Sequence, residues 1–125
     1  MTPSERAALK RGYLDVPTRA GVYAIRNLAN GRAMVGGSHD VQGALNRHRF
    51  ELQRGAHRNA ALRADWAAHG EASFVFEVLD RVKPRDEPGF DVTHELQGLV
   101  DLWRQEVACE GDRGYGPPPP IRSLR

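Results

Sequence analysis

Apolar positions along this chain change their period several times, and each change marks an element. Val22, Tyr23, Ala24 and Ile25 follow Gly21 as a short strand-like run, Asn30-Gly31 supplies residues suited to positive φ, and Ala33, Met34 and Val35 resume the apolar pattern. That pattern predicts a β-hairpin. Beyond Gly36-Gly37-Ser38, the residues Val41, Leu45, His48 and Leu52 lie three or four apart, which places them on one helix face. Asp40 is the expected N-cap and Gly55 the expected stop. Asn59 is positioned to cap a second helix that turns Leu62 and Trp66 inward and ends at Gly70. Phe74 to Leu79 joins β-branched and aromatic residues without a break, as a strand buried on at least one face would. After a charged loop containing Pro84 and Pro88, a third helix is expected from Thr93. Its apolar positions Leu96, Leu99, Val100, Trp103 and Val107 describe a packed face.

The predicted order is β-β-α-α-β-α, an α+β fold with a small three-stranded sheet flanked by helices. A length of 125 residues and a hydrophobic fraction of 40% suit one ordinary core. Residues 1–20 read as an N-terminal extension, with Ser4 capping a short helix and a linker from Gly12 to Thr18. Residues 21–109 read as the domain. Residues 110–125 read as a Gly/Pro-rich tail, in which Pro117 to Pro120 rule out helix or sheet and leave extended polyproline or disordered chain.

Charge refines this picture. The net charge is only +2, yet between Arg26 and Arg63 seven arginines face only Asp40 and Glu51. A local excess of this kind suits a polyanionic partner, because phosphate binding follows the potential of one face. Cys109 is the only cysteine, which leaves no disulfide framework and fits a reducing, cytoplasmic setting. No apolar run approaches a membrane span, the first fifteen residues lack the apolar core of a secretory signal, and the histidines show no zinc-binding spacing.

Gly21-Val22-Tyr23, with Met34 eleven positions after Tyr23 at the head of Met34-Val35-Gly36, resembles the two half-motifs of the GIY-YIG nuclease superfamily. The resemblance continues without a gap through Gly37-Ser38, His48, Gly55-x-His57-x-Asn59-x-x-Leu62, Trp66, Gly70 and Phe74-x-Phe76-Glu77-Val78-Leu79. It implies a small sheet flanked by helices that cuts phosphodiester bonds with one divalent metal, Mg²⁺ or Mn²⁺. Such chemistry needs a base, a cation facing the phosphate, a metal carboxylate and tyrosines that orient the nucleophile.

The set is incomplete here. Tyr23 and His48 match the first family tyrosine and the helix histidine, a pair able to relay a proton. Met34 stands where the second tyrosine belongs, and a thioether can neither donate a proton nor act as a base. Ala44 occupies the arginine position, so a phosphate clamp is missing, and Arg47 or Arg49 would have to substitute. Leu96 falls at the metal glutamate, and its place on the apolar stripe gives it a core role. Architectural readings stand beside the functional ones: Tyr23 packing on the helix, His48 bonded to a backbone carbonyl, His57 and Asn59 shaping a loop and a cap, and Trp66 and Phe76 in the core.

Three expectations follow. The first is a nuclease-like domain, catalytically inactive or strongly impaired, that binds DNA or another nucleic acid through Arg26, Arg32, Arg47, Arg49, Arg54 and Arg58 together with His57 and Asn59, and that needs no cofactor. The second is an active endonuclease in which Glu77, Asp80 or Glu95 recruits Mg²⁺ or Mn²⁺. The third is a protein-interaction module docking through the Trp103 helix or the Pro-rich tail.

Overall fold

The computed structural model describes residues 19–121; the helix expected from Ser4 and the linker at Gly12 to Thr18 lie outside them. Strands β1 (Gly21–Asn27) and β2 (Ala33–Ser38) form the expected hairpin, with Ala24 opposite Val35 and Ile25 opposite Met34. Gly31 turns the chain at φ 77°, in the left-handed region that a side chain disfavours. Strand β3 (Phe74–Arg81) pairs antiparallel with the other edge of β1, giving the order β2-β1-β3. The central strand is buried on both faces from Gly21 to Ile25, which explains why its apolar run does not alternate.

Helices α1 (Val41–Gln53) and α2 (Ala60–His69) pack with Tyr23, Ile25 and Met34 on one face of the sheet, where Leu45, Leu52, Leu62 and Phe74 complete the core. Helix α3 (Val92–Val107) covers the other face, setting Leu96 and Val100 against Val22, Ala24 and Val35. Burying each such side chain contributes about 1.5–3 kcal/mol. Trp66 and Phe76 are partly buried against the first layer, in keeping with a core role.

The caps are local. Asp40 accepts from the Gly43 N–H at 3.2 Å and Asn59 from the Leu62 N–H at 3.0 Å. Gly55 follows α1 at φ 67° and Gly70 follows α2 at φ 81°. Helix α3 starts one residue earlier than Thr93, because Asp91 is its cap and accepts from the Thr93 N–H at 2.9 Å.

The start of the tail departs from expectation. Gly111–Arg113 makes one 3₁₀ turn and Gly114 forms a parallel bridge with Ala33. Tyr115 then enters the first core layer. Only beyond it does the chain run extended, with Pro118 and Ile121 half-buried. Gly111 supplies the positive φ for the turn, and Tyr115 has an apolar ring to bury. Both effects outweigh the prolines that follow. No helix of the described residues is long and apolar enough to cross a membrane.

Candidate functional site

Strand β1 turns Tyr23 toward α1, and its pairing with β3 shifts register between Val22 and Tyr23, an irregularity of the kind found beside functional sites. Gly36 lies opposite Tyr23 on β2. Its missing side chain makes room for the hydroxyl. The phenol meets the buried face of α1 at His48, whose Nε2 lies 2.9 Å from Tyr23 Oη. His48 Nδ1 in turn lies 2.8 Å from His57 Nε2, and the Asn59 N–H donates to His57 Nδ1 at 3.0 Å. His48 is thus bonded to side chains on both sides, which corrects the reading of it as bonded to a backbone carbonyl.

Both histidines are almost fully buried. Burial, then the neighbouring His57 and the Arg47 charge, hold His48 down at about 4. Burial also lowers His57, against an opposing pull from Glu51. The Tyr23 phenol is pushed up to about 12 by burial, with Arg47 pulling the other way. Near neutral pH the chain therefore holds a protonated phenol and two neutral imidazoles.

Asn59 ties this chain to the rest of the domain. Its amide oxygen caps α2, and its amide nitrogen donates to the Tyr115 carbonyl at 2.6 Å. The Tyr115 hydroxyl donates to Asp65 at 2.8 Å and accepts from Asn27 at 3.2 Å. Burial lifts the Asp65 carboxyl, but donors from Asn30, Tyr115 and Asn27 and the Arg32 charge outweigh it and leave its pKa lowered.

Tyr23 opens on a pocket of about 360 Å³ bordered by Ser38, Asp40, Arg47, Arg58 and Pro119. Arg47, Arg58 and Pro119 also border an adjoining hollow over His48 and His57. The groove therefore runs along the hydrogen-bonded chain, with Pro119 of the Pro-rich segment on one side.

The structure separates the arginines expected to contact phosphate. Arg47 and Arg58 are exposed at the groove, and neither has a hydrogen-bond or ion-pair partner among the described residues. Arg26 pairs with Glu77. Arg32 is committed to Asp65 at 3.2 Å and to the Gly114 carbonyl at 2.9 Å, and it stacks 4.4 Å from the Tyr115 ring. Arg49 and Arg54 lie over Phe76 and Phe50. Of the substituted positions, Ala44 borders the pocket, one turn before Arg47. Met34 is buried in the layer of Tyr23, whereas Leu96 lies in the opposite layer.

These residues do not fit the divalent cation that the resemblance implies. Leu96 offers only hydrocarbon. Glu77 is held by Arg26 and Glu95 by Arg85, and Asp80 accepts from Trp103 Nε1–H at 3.2 Å. None of the three borders the pocket; its one carboxylate, Asp40, is engaged as the cap of α1 and in a 3.7 Å pair with Arg19, and in the adjoining hollow Glu51 is the one carboxylate, beside two histidines whose facing nitrogens are bonded to each other. Among the described residues no three His, Cys, Asp or Glu side chains are grouped to hold a metal.

Residue-by-residue reading undervalued His57 and missed Tyr115 and Asp65. His57 shows no periodicity that marks it as buried, and Tyr115 sits alone among glycines and prolines.

No protein-family model matches the chain, and no curated protein matches it. Among solved structures, the chain is similar to the catalytic domain of the homing endonuclease I-TevI, with a TM-score of 0.61 and 24% identity, covering 77% of this chain and 95% of that one. A mutant of the catalytic domain of the intron endonuclease I-TevI gives a TM-score of 0.61 and 23% identity, covering 78% and 91%. The chain has the GIY-YIG-like fold that its half-motifs implied.

Proposed function

We propose that this chain binds the phosphodiester backbone of nucleic acid, DNA in the first instance, in the groove over Tyr23, His48 and His57, and that it does not cut the backbone. One observation carries the reading: among the described residues Arg47 and Arg58 have no hydrogen-bond or ion-pair partner, and both border a pocket that Tyr23 also lines. Two guanidiniums bordering one groove are suited to bridging phosphate oxygens. The similar solved structures are catalytic domains of an endonuclease, which favours a nucleic-acid ligand over other anions. The absence of cleavage rests on the buried thioether of Met34, on Ala44 at the clamp position, and on a pocket whose donors do not suit a divalent ion. Removing a positioned proton-transfer group alone typically costs about 10²–10⁴ in rate.

Two of the six arginines carry this role. The other four are engaged within the fold, so they contribute field more than contact. Protein docking through α3 is disfavoured, because Trp103 is turned inward to Asp80. Tail docking is disfavoured because Pro118 and Ile121 lie against Gly36 and Gly37.

The test is a salt titration of binding to a labelled DNA duplex and a branched junction, with Arg47→Glu/Arg58→Glu as the comparison. The intact chain should bind at low salt and lose affinity steeply as salt rises; the double variant should lose most of the affinity. No binding at low salt would overturn the reading. Nicking of a plasmid with Mg²⁺ or Mn²⁺ that disappears in His48→Ala would overturn the claim that cleavage is lost.

A further inference from the structure

The two hydrogen bonds that join Tyr23, His48 and His57 have no direction of their own, because either imidazole nitrogen can hold the proton. A backbone group settles the direction. The Asn59 N–H can only donate, and it lies 3.0 Å from His57 Nδ1, so that nitrogen is unprotonated. A neutral imidazole has one ring proton, which places that of His57 on Nε2, 2.8 Å from His48 Nδ1. His48 Nδ1 then accepts and its own proton sits on Nε2, from which it donates to Tyr23 Oη at 2.9 Å. The reverse order would bring two N–H groups head to head at His57 Nδ1. Both histidines remain neutral at pH 7, since burial disfavours their charged forms.

We infer that the Asn59 amide imposes a one-way chain of hydrogen bonds, Asn59 to His57 to His48 to Tyr23, which leaves the Tyr23 O–H to donate into the Arg47/Arg58 groove, with His57 as the positioning residue that holds this polarity. Tyr23 is then a donor to a phosphate oxygen. It does not pass a proton to His48, because His48 Nε2 already carries one. This reverses the proton relay expected from the Tyr23 and His48 types alone. Gly36 keeps the space beside the hydroxyl open, since a Cβ built there would lie 2.6 Å from Tyr23 Oη. The polarity stands independently of ligand; the donor role rests on the phosphate reading of the groove.

Ring-nitrogen ¹H–¹⁵N correlation spectra of the full chain near pH 7 test the polarity. His48 and His57 should both show the Nε2–H tautomer, and an Nδ1–H tautomer at either would overturn it. His57→Gln, whose amide can still donate to His48 Nδ1, should keep the His48 signature. His57→Leu should shift it toward Nδ1–H, and an unchanged signature would overturn the positioning role; if His57→Leu does not fold, the intact chain and His57→Gln decide.

Binding of the labelled duplex by Tyr23→Phe tests the donor role. Affinity should fall about tenfold, the worth of one hydrogen bond to a charged group, with the salt dependence unchanged because a phenol carries no charge. Equal binding by Tyr23→Phe would overturn the donor role and leave the phosphate reading intact. No binding by the intact chain would overturn the phosphate reading and the donor role with it, and leave the polarity to the spectra.

Discussion

Gly36 faces Tyr23 across the β1 and β2 pairing with room for the hydroxyl and nothing larger: a Cβ at Gly36 would lie 2.6 Å from Tyr23 Oη and 3.1 Å from Pro118. The phenol cannot retreat without breaking its bond to His48. Gly36→Ala should therefore destabilise the domain by about 1–3 kcal/mol, the usual cost of overpacking. Urea unfolding measures that cost, and a shifted His48 ring resonance should accompany it.

Acid should weaken the fold through His48. Its folded pKa of about 4 lies below the unfolded value near 6.5, so the unfolded chain takes up the proton first. The stabilisation is complete above about pH 6.5 and is lost as pH falls toward 4, up to about 3 kcal/mol. His57, lowered in the same direction, adds to the slope. Melting temperatures between pH 7 and pH 4 should fall steeply in the intact chain and less so in His48→Leu.

Tyr115 should be a stability residue. Tyr115→Phe removes the donor to Asp65 and the acceptor for Asn27, at a cost of about 1–2 kcal/mol. Tyr115→Ala also empties a core site and should cost about 3–5 kcal/mol. Limited proteolysis should then cut the tail of Tyr115→Ala faster than that of Tyr115→Phe.

Arginines that look alike in sequence should behave differently. Arg32→Ala breaks bonds to Asp65 and Gly114 and should cost about 1–3 kcal/mol of stability with little change in DNA affinity. Arg47→Ala should leave stability within about 0.5 kcal/mol and weaken binding, lowering the slope of log K against log salt by about one. Paired melting and binding measurements separate the two.

Restoring a carboxylate at position 96 should not restore a metal site. Leu96 is fully buried among Val22, Val35 and Val100, so Leu96→Glu places a charge in an apolar layer. Destabilisation above about 3 kcal/mol is expected. Calorimetric titration with Mn²⁺ should show no gain in binding.

The sequence by itself determined the elements and their order, because the signals involved act over a few residues: caps at Asp40 and Asn59, the turn at Gly31, and apolar spacing along α1 and α3. The half-motifs were legible too, but only through their resemblance to a known family, which implied the GIY-YIG-like fold. Tertiary structure alone decided the rest. Tyr115 is placed by Asn27 and Asp65, 88 and 50 positions away, and no local period announces such contacts. His57 gains its role only where α1 and the loop before α2 bring two ring nitrogens to 2.8 Å. The charge of an arginine is visible in sequence, but its partner is not, so only packing distinguished Arg47 and Arg58, unpaired among the described residues, from Arg26 and Arg32, which pair with Glu77 and Asp65.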